Sequence, residues 1–298
     1  VRQGPGQRPC HGRRKGRRLR VTILGSGGST GTPALDVGWG RCDPNDPRNR
    51  RTRPAILVEE GETRILVDTP PDLREQLLAA GVRRLSAVVY THAHADHLHG
   101  IDDLRSINRN IGAALPVYGD PTTLSVLRER FAYAVEPLPE RARSFYKPTL
   151  DLHDLGDGES FAIGAVPVTA FAQSHGFSIT VGYRFGDAAY TTDVVELGEA
   201  AFAILEGVDT WIIGTPVARP HPTHCHVGRA LEWIARIRPR RAVLSHLGND
   251  LDYAALAAEL PPSVEPAFDG LSLDVGGASA SERNRINESL TPAWGGAG

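Results

Sequence analysis

The 298-residue sequence has no methionine, three cysteines and only two lysines, Lys15 and Lys147. Cys10, Cys42 and Cys225 are far apart and odd in number, which argues against a disulfide framework. No run of 18 apolar residues is present, so no transmembrane helix is expected. Aromatic residues make up only 6%, yet a hydrophobic fraction of 41% supplies a sizeable core. That balance excludes a disordered protein, a collagen and a disulfide mini-protein. Acidic residues are missing from the first twenty positions, which hold eight Lys and Arg. The rest of the chain therefore carries 25 basic against 35 acidic side chains, beneath a formal net charge of −2.

Residues 1–18, rich in Gly, Pro and Arg, read as a disordered basic arm. Residues 276–298 read as a second disordered tail. A secretory signal needs an apolar stretch after its basic one, but the run 19–24 is only a strand's length before Gly25-Ser26-Gly27-Gly28 breaks it. A cytoplasmic protein is expected. One catalytic domain is expected over residues 19–275, with no visible repeat. Strands are expected at 20–24, 55–59, 63–67, 86–91, 115–118, 166–171, 178–185, 188–192, 210–214, 241–245 and 271–275. Helices are expected at 71–81, 99–110, 121–134, 196–206, 226–237 and 252–259. The alternation suggests an α/β protein with two sheets and outer helices.

The chemistry is concentrated in the histidines. Three of eleven fall in Thr91-His92-Ala93-His94-Ala95-Asp96-His97. At this composition, H-x-H-x-D-H arises by chance in roughly one chain per thousand. In an extended stretch His92 and His94 point to the same side, so both imidazoles reach one metal. Asp96 and His97 fall where the chain turns and face a second. Four more polar residues close apolar runs: Asp68 after 65–67, His175 after 166–171, Asp193 after 190–192 and His246 after 243–245. Each alone reads as a turn cap or a core hydrogen-bonding group. Together, and in this order, they read as a site.

In that order the residues resemble the five motifs of the metallo-β-lactamase superfamily. The resemblance implies an αββα sandwich, two mixed β-sheets with helices on the outer faces, and a dinuclear metal site at one edge. It implies that His92, His94 and His175 bind one metal, that Asp96, His97 and His246 bind the other, and that Asp193 bridges. Asp68 is then expected behind the ligands, orienting the histidine loop by hydrogen bonds. Imidazoles and carboxylates without thiolate suit two divalent ions, Zn or Mn, with Fe a further option. Two such ions, two carboxylates and one hydroxide leave about one positive charge, which favours an anionic substrate.

The opening Leu24-Gly25-Ser26-Gly27-Gly28-Ser29-Thr30-Gly31-Thr32-Pro33 contains G-x-G, but turn formers and prolines follow where a Rossmann helix should begin. The opening resembles the phosphodiesterase-like branch, which includes tRNase Z and the phosphoribosyl 1,2-cyclic phosphate phosphodiesterases (PhnP-like). Asp68-Thr69-Pro70-Pro71-Asp72-Leu73-Arg74, the stretch His97-Leu98-His99-Gly100-Ile101-Asp102-Asp103-Leu104-Arg105, and Pro220-His221-Pro222-Thr223-His224 look most like the second of these. The resemblance implies a metal-dependent hydrolase that cleaves a small, cyclic sugar phosphodiester with metal-activated hydroxide. Asp96 and His224 are the candidate catalytic residues, with His224 as proton donor and His226 as its alternative. The bland alternative is that His221, His224 and His226 cap the following helix. Arg105 and His226 are candidate substrate contacts.

The PhnP-like pattern also carries a cysteine cluster for a structural zinc. Only Cys42 occupies that stretch here, so no structural zinc is expected, and Cys42 reads as a small buried hydrophobe. Arg48, Arg50, Arg51 and Arg53 read as a solvated charge run paired with nearby acids. Residues 120–150 read as ordinary packing of helix on sheet, or as a pocket wall or homodimer face anchored by Phe131, Tyr133, Phe145 and Tyr146. The net-acidic body opposes nucleic acid as a partner, and no membrane partner is expected. Three alternatives stand beside the phosphodiesterase: a tRNase Z-like RNA-processing endonuclease, a glyoxalase II-like thioesterase and a non-enzymatic scaffold.

Overall fold

The computed structural model describes residues 18–276. The expected arm at 1–18 and tail at 276–298 lie, apart from Arg18 and Gly276, outside the described residues. One sheet contains β1 (Leu19–Gly25), β2 (Ala55–Glu60), β3 (Thr63–Val67), β4 (Ala87–Val89), β5 (Leu115–Gly119) and β6 (Leu150–Asp154). The other contains β7 (Ser160–Ile163), β8 (Val166–Ser174), β9 (Ile179–Phe185), β10 (Ala188–Thr191), β11 (Thr210–Gly214), β12 (Arg241–Ser245) and β13 (Val264–Pro266). The last strand, β14 (Ser272–Val275), returns to the first sheet beside β1. Each sheet has seven strands, in the orders β14-β1-β2-β3-β4-β5-β6 and β13-β12-β11-β10-β9-β8-β7.

Both sheets follow one plan. Three antiparallel pairings, through β14, β1, β2 and β3, give way to three parallel pairings through β4, β5 and β6. The second sheet repeats this, antiparallel from β7 to β10 and parallel from β10 to β13.

Strands buried on both faces explain the continuous apolar runs. Ile56 and Val58 of β2, Ile65 and Val67 of β3, and Tyr183 and Phe185 of β9 enter one core between the sheets. Leu57, Leu66 and Val88 face outward onto α1 (Leu73–Ala79), α3 (Leu104–Ile111) and α4 (Pro121–Arg130) through Leu77, Ile107 and Leu127. Two one-turn helices, α2 (Ala95–Leu98) and α5 (Ala132–Val135), flank them in the chain. On the far side, Trp211, Ile213 and Leu244 meet α6 (Glu199–Leu205), α7 (Val227–Ile237) and α8 (Tyr253–Glu259). The result is the four-layer αββα sandwich.

No helix among the described residues is long and apolar enough to cross a membrane. Asp103, Leu104 and the helix behind them differ from the expected helix 99–110, because a 3-10 turn covers Ile101–Asp103 and α3 starts only at Leu104. The expected helix 121–134 is broken at Phe131, whose φ of −128° and ψ of 41° lie outside the helical region.

Candidate metal centre

The strand ends deliver the histidines and carboxylates to one edge of the sandwich. Asp68 follows β3, His92 and His94 follow β4, His175 follows β8, Asp193 follows β10 and His246 follows β12. Four non-glycine residues have positive φ among the described residues, and three are Asp68 (66°), Asp193 (49°) and His246 (58°). A left-handed residue turns the chain sharply out of its strand at about 1–3 kcal/mol, a strain typical of functional sites. The fourth, Arg238, ends α7.

The contacts form two main triads, linked by a third of His92, His97 and Asp193 and a fourth of His175, Asp193 and His224. His92, His94 and His175 place one nitrogen each within 4.8 Å of one another, and Asp96, His97 and His246 do the same with two nitrogens and a carboxylate oxygen. Asp193 lies between them. Its Oδ2 is 2.9 Å from His97 Nε2 and 3.3 Å from His246 Nε2, while its Oδ1 is 3.8 Å from His175 Nε2 and 3.5 Å from His224 Nδ1. Asp96 Oδ2 sits 3.3 Å from His97 Nε2 and 3.5 Å from His246 Nε2.

Surrounding groups fix the ring orientations. Asp68 is fully buried and accepts from the Thr91 amide at 2.8 Å, the Thr91 hydroxyl at 2.8 Å and His97 Nδ1 at 2.7 Å. With Nδ1 donating to Asp68, Nε2 of His97 is free toward Asp96 and Asp193. His175 Nδ1 donates to the Thr223 carbonyl at 2.6 Å, which frees its Nε2 in the same way. Thr180 Oγ1 donates to the Asp193 carbonyl at 3.0 Å and pins that residue. Thr91 and Thr180 were not among the expected site residues. A threonine beside a motif or inside a strand is an ordinary β-former, so only the fold exposes its second use.

The donor set fits divalent metal. His97 Nε2, both ring nitrogens of His246 and His224 Nδ1 are buried and make no hydrogen bond. A buried polar atom without a partner costs about 1–3 kcal/mol, and several aimed into one space call for a cation.

The electrostatics agree. Burial drives His92 well below the ordinary histidine range, with His97 adding to the effect. Burial opposes protonation of His97 too, but Asp96, Asp193 and Asp68 outweigh it and raise that group. His246 is raised against its burial by Asp193 and Asp96. Burial would raise Asp193, yet His246 and His97 hold it well below the usual carboxylate range.

His224 reaches the cluster and His226 does not. His224 meets the His175 ring edge-on, with centroids 4.8 Å apart, and burial lowers its pKa to about 4. His226 instead caps α7, its Nδ1 accepting from the Arg229 amide at 3.4 Å. Arg105 instead pairs with Asp102 at 3.5 Å.

The arginine run divides. Arg48 pairs with Asp46, Arg53 pairs bidentately with Asp72, and Arg50 lies over Trp39. Arg51 corrects the expectation of a solvated run, being 2% exposed. Its Nη2 donates to Asn49 Oδ1 at 2.9 Å and the Leu251 carbonyl at 2.7 Å, and its Nη1 lies 3.9 Å from Cys42 Sγ. Cys42 is buried as expected. The guanidinium thus ties the loop after β1 to the loop after His246.

Known proteins share this fold. The family model described as a beta-lactamase superfamily domain matches residues 63–247. A solved structure of a new diphosphatase from the PhnP family is 32% identical, with a TM-score of 0.78, over 86% of this chain and 96% of that one. The octanoyltransferase of Porphyromonas gingivalis is 32% identical over 85% of this chain and 51% of its own length. The ribonuclease Z of Bradyrhizobium sp. is 34% identical over 47% of this chain and 46% of its own. The chain thus spans about half the length of the curated relatives it matches. Zn(2+)-bound PqqB from Methylobacterium extorquens shares the fold at 22% identity and a TM-score of 0.66, over 86% of this chain and 100% of that one. With the family model covering most of the two sheets and a PhnP-family structure matched almost end to end, this chain belongs to the metallo-β-lactamase superfamily and resembles its PhnP-like branch.

Proposed function

We propose that the chain is a two-metal phosphodiesterase acting on a small anionic ester, a cyclic sugar phosphate being the class first considered. The observation that carries this reading is the Asp193 carboxylate, which turns one oxygen toward His97 and His246 and the other toward His175 and His224. A carboxylate placed between two donor groups suits a bridging ligand. His92, His94 and His175 would hold one ion, Asp96, His97 and His246 the other, with Zn²⁺ or Mn²⁺ suited to the set. Bound divalent ions would supply Lewis acidity and lower the pKa of water.

The chain's own residues do the rest. Asp68 and the Thr223 carbonyl hold two imidazoles in the tautomers that present Nε2 to the cluster. Asp96 orients toward His97 and His246. His224 stands at the margin, partly exposed, with its Nδ1 facing Asp193. Burial keeps its imidazole neutral in the free protein. A phosphate anion beside it favours the imidazolium, which can then give its proton to the leaving oxygen.

The test combines metal analysis with a screen of phosphodiesters, cyclic phosphates and thioesters. About two ions per chain and phosphodiester turnover are expected. His224→Ala should lower turnover by about 10²–10⁴-fold with metal content intact; unchanged turnover removes the proton-donor role.

A second reading, an RNA-processing nuclease, is favoured by the partial identity to ribonuclease Z. The acidic excess outside the first twenty residues opposes phosphate-backbone binding. Salt-sensitive RNA affinity in the purified protein would favour the nuclease instead.

A further inference from the structure

The edge that carries the cluster also carries apolar side chains that the fold leaves bare. On β9, Val181, Tyr183 and Phe185 enter the core between the sheets. Ile179 is the next residue on that face, where the core ends. The Val181 amide donates to the Thr91 carbonyl at 2.8 Å, so this end of β9 lies beside the loop that leads into His92 and His94. Ile179 is 64% exposed and Phe177 is 93% exposed.

Phe177 occupies the turn directly after His175. The His175 amide donates to the Ser178 carbonyl at 2.8 Å, and the Phe177 amide donates to the His175 carbonyl at 3.0 Å. Gly176, at φ 77°, lets this turn press on the loop that carries His224; a Cβ there would stand 2.6 Å from the Pro222 carbonyl. The turn is therefore braced from behind, and its ring is left exposed. A phenylalanine left in water forgoes the gain of burial. Single exposed apolar residues are common, but these two stand two positions apart beside the candidate centre.

Resting on the phosphoester reading above, we propose that Phe177, supported by Ile179, is a specificity platform that stacks on a planar nucleobase or aryl group of the substrate. The phosphate would sit at the His and Asp cluster, one turn away. An exposed aromatic ring on a braced turn suits a π-faced partner, and base–aromatic stacking is worth about 1–3 kcal/mol. The favoured substrates are then nucleotide-like phosphoesters rather than bare sugar phosphates.

Adenosine 5′-monophosphate and ribose 5-phosphate share a phosphate and a sugar and differ by the base. Their affinities for metal-loaded protein are to be measured by titration calorimetry, for the unmodified chain, Phe177→Ala and Phe177→Trp. The unmodified chain should bind the nucleotide about 5–150-fold more tightly. Phe177→Ala should erase that preference without moving the ribose 5-phosphate affinity, and Phe177→Trp should keep it. No preference in the unmodified chain, or equal weakening of both ligands by Phe177→Ala, overturns the platform. If phosphodiesters are turned over but the two ligands bind alike, the platform alone fails. If neither phosphate binds and no phosphodiester is turned over, the underlying reading fails with it.

Discussion

Replacing Asp68 by Asn tests the arrangement behind the metal ligands. Asn is the right probe because it tolerates the left-handed φ of 66° that Asp68 adopts, and because it keeps the shape of a fully buried side chain. What changes is the direction of the two hydrogen bonds at Oδ2, from the Thr91 hydroxyl and from His97 Nδ1. Asp68 only accepts, from two groups on Thr91 and from His97 Nδ1. With its Oδ1 kept by the Thr91 amide, an Asn presents its amide hydrogens to His97 Nδ1. The ring must then accept there, and its proton moves to Nε2, the nitrogen that faces Asp96 and Asp193. That nitrogen can no longer act as a ligand without losing its proton. Losing a supporting hydrogen bond of this kind costs about 10–100-fold in metal affinity, equivalent to roughly 1.4–2.7 kcal/mol. The loss should fall most on the site formed with Asp96 and His246, because His92 of the other group meets Asp68 only through the Thr91 hydroxyl. Equilibrium dialysis with elemental analysis should therefore show one equivalent weakened more than the other, with circular dichroism confirming the fold. Two equivalents of unchanged affinity would refute the argument.

Two further predictions concern metal and pH. Chelation should lower the melting temperature, since each ion at a hundredfold excess over its Kd adds about 2.7 kcal/mol. Because His97 and His246 hold protons above the ordinary histidine range, metal must displace those protons, so affinity should fall as pH falls. Competition with a chromophoric chelator at two pH values checks this, and a flat profile contradicts it. Far from the cluster, Asp209 is buried and bonded at 2.8 Å by both Nε and Nη2 of Arg240. Burial would raise its carboxyl, but the guanidinium holds it below the usual range. Its folded-state value lies below its unfolded value, so the stability it contributes is present above about pH 4 and is lost as pH falls through the folded value. Asp209→Asn should cost about 1–3 kcal/mol near neutrality, and urea titrations should show the gap closing in acid.

What the sequence disclosed follows burial. Runs such as 55–59, 210–214 and 241–245 lie inside both faces of a sheet, so their apolar content alone marks them. β6, β7 and β13 escaped because they are edge strands: Leu150-Asp151-Leu152-His153-Asp154 is half polar, and Val264–Pro266 is three residues long and ends in proline. The late start of α3 comes from Gly100, where a Cβ would stand 1.9 Å from the Pro70 carbonyl. The shared antiparallel-then-parallel plan of the two sheets leaves no trace as a sequence repeat, because pairing constrains patterns and not identities. At the site, every expected ligand type was visible as a polar residue closing an apolar run. The choice between His224 and His226 was not, since both precede α7 and only one caps it. Arg51 was hidden for a similar reason: among neighbouring arginines, nothing local says which one turns inward.

Each donor group draws from both sheets. His92 and His94 belong to the end of β4 and His175 to the end of β8, while Asp96 and His97 are matched across the gap by His246. Protein hydrogen bonds also cross this edge, among them the Tyr183 hydroxyl to the Tyr90 carbonyl at 2.7 Å and the Val181 amide to the Thr91 carbonyl at 2.8 Å. An ion taken up here is a cross-tie between halves of the chain that are far apart in sequence, and it must break before the halves part. Contacts that form only once both halves are in place act on the rate of escape from the native state rather than on the rate of reaching it. Metal supply would then set how long each folded molecule survives a protease or a denaturant, independently of how fast it was made.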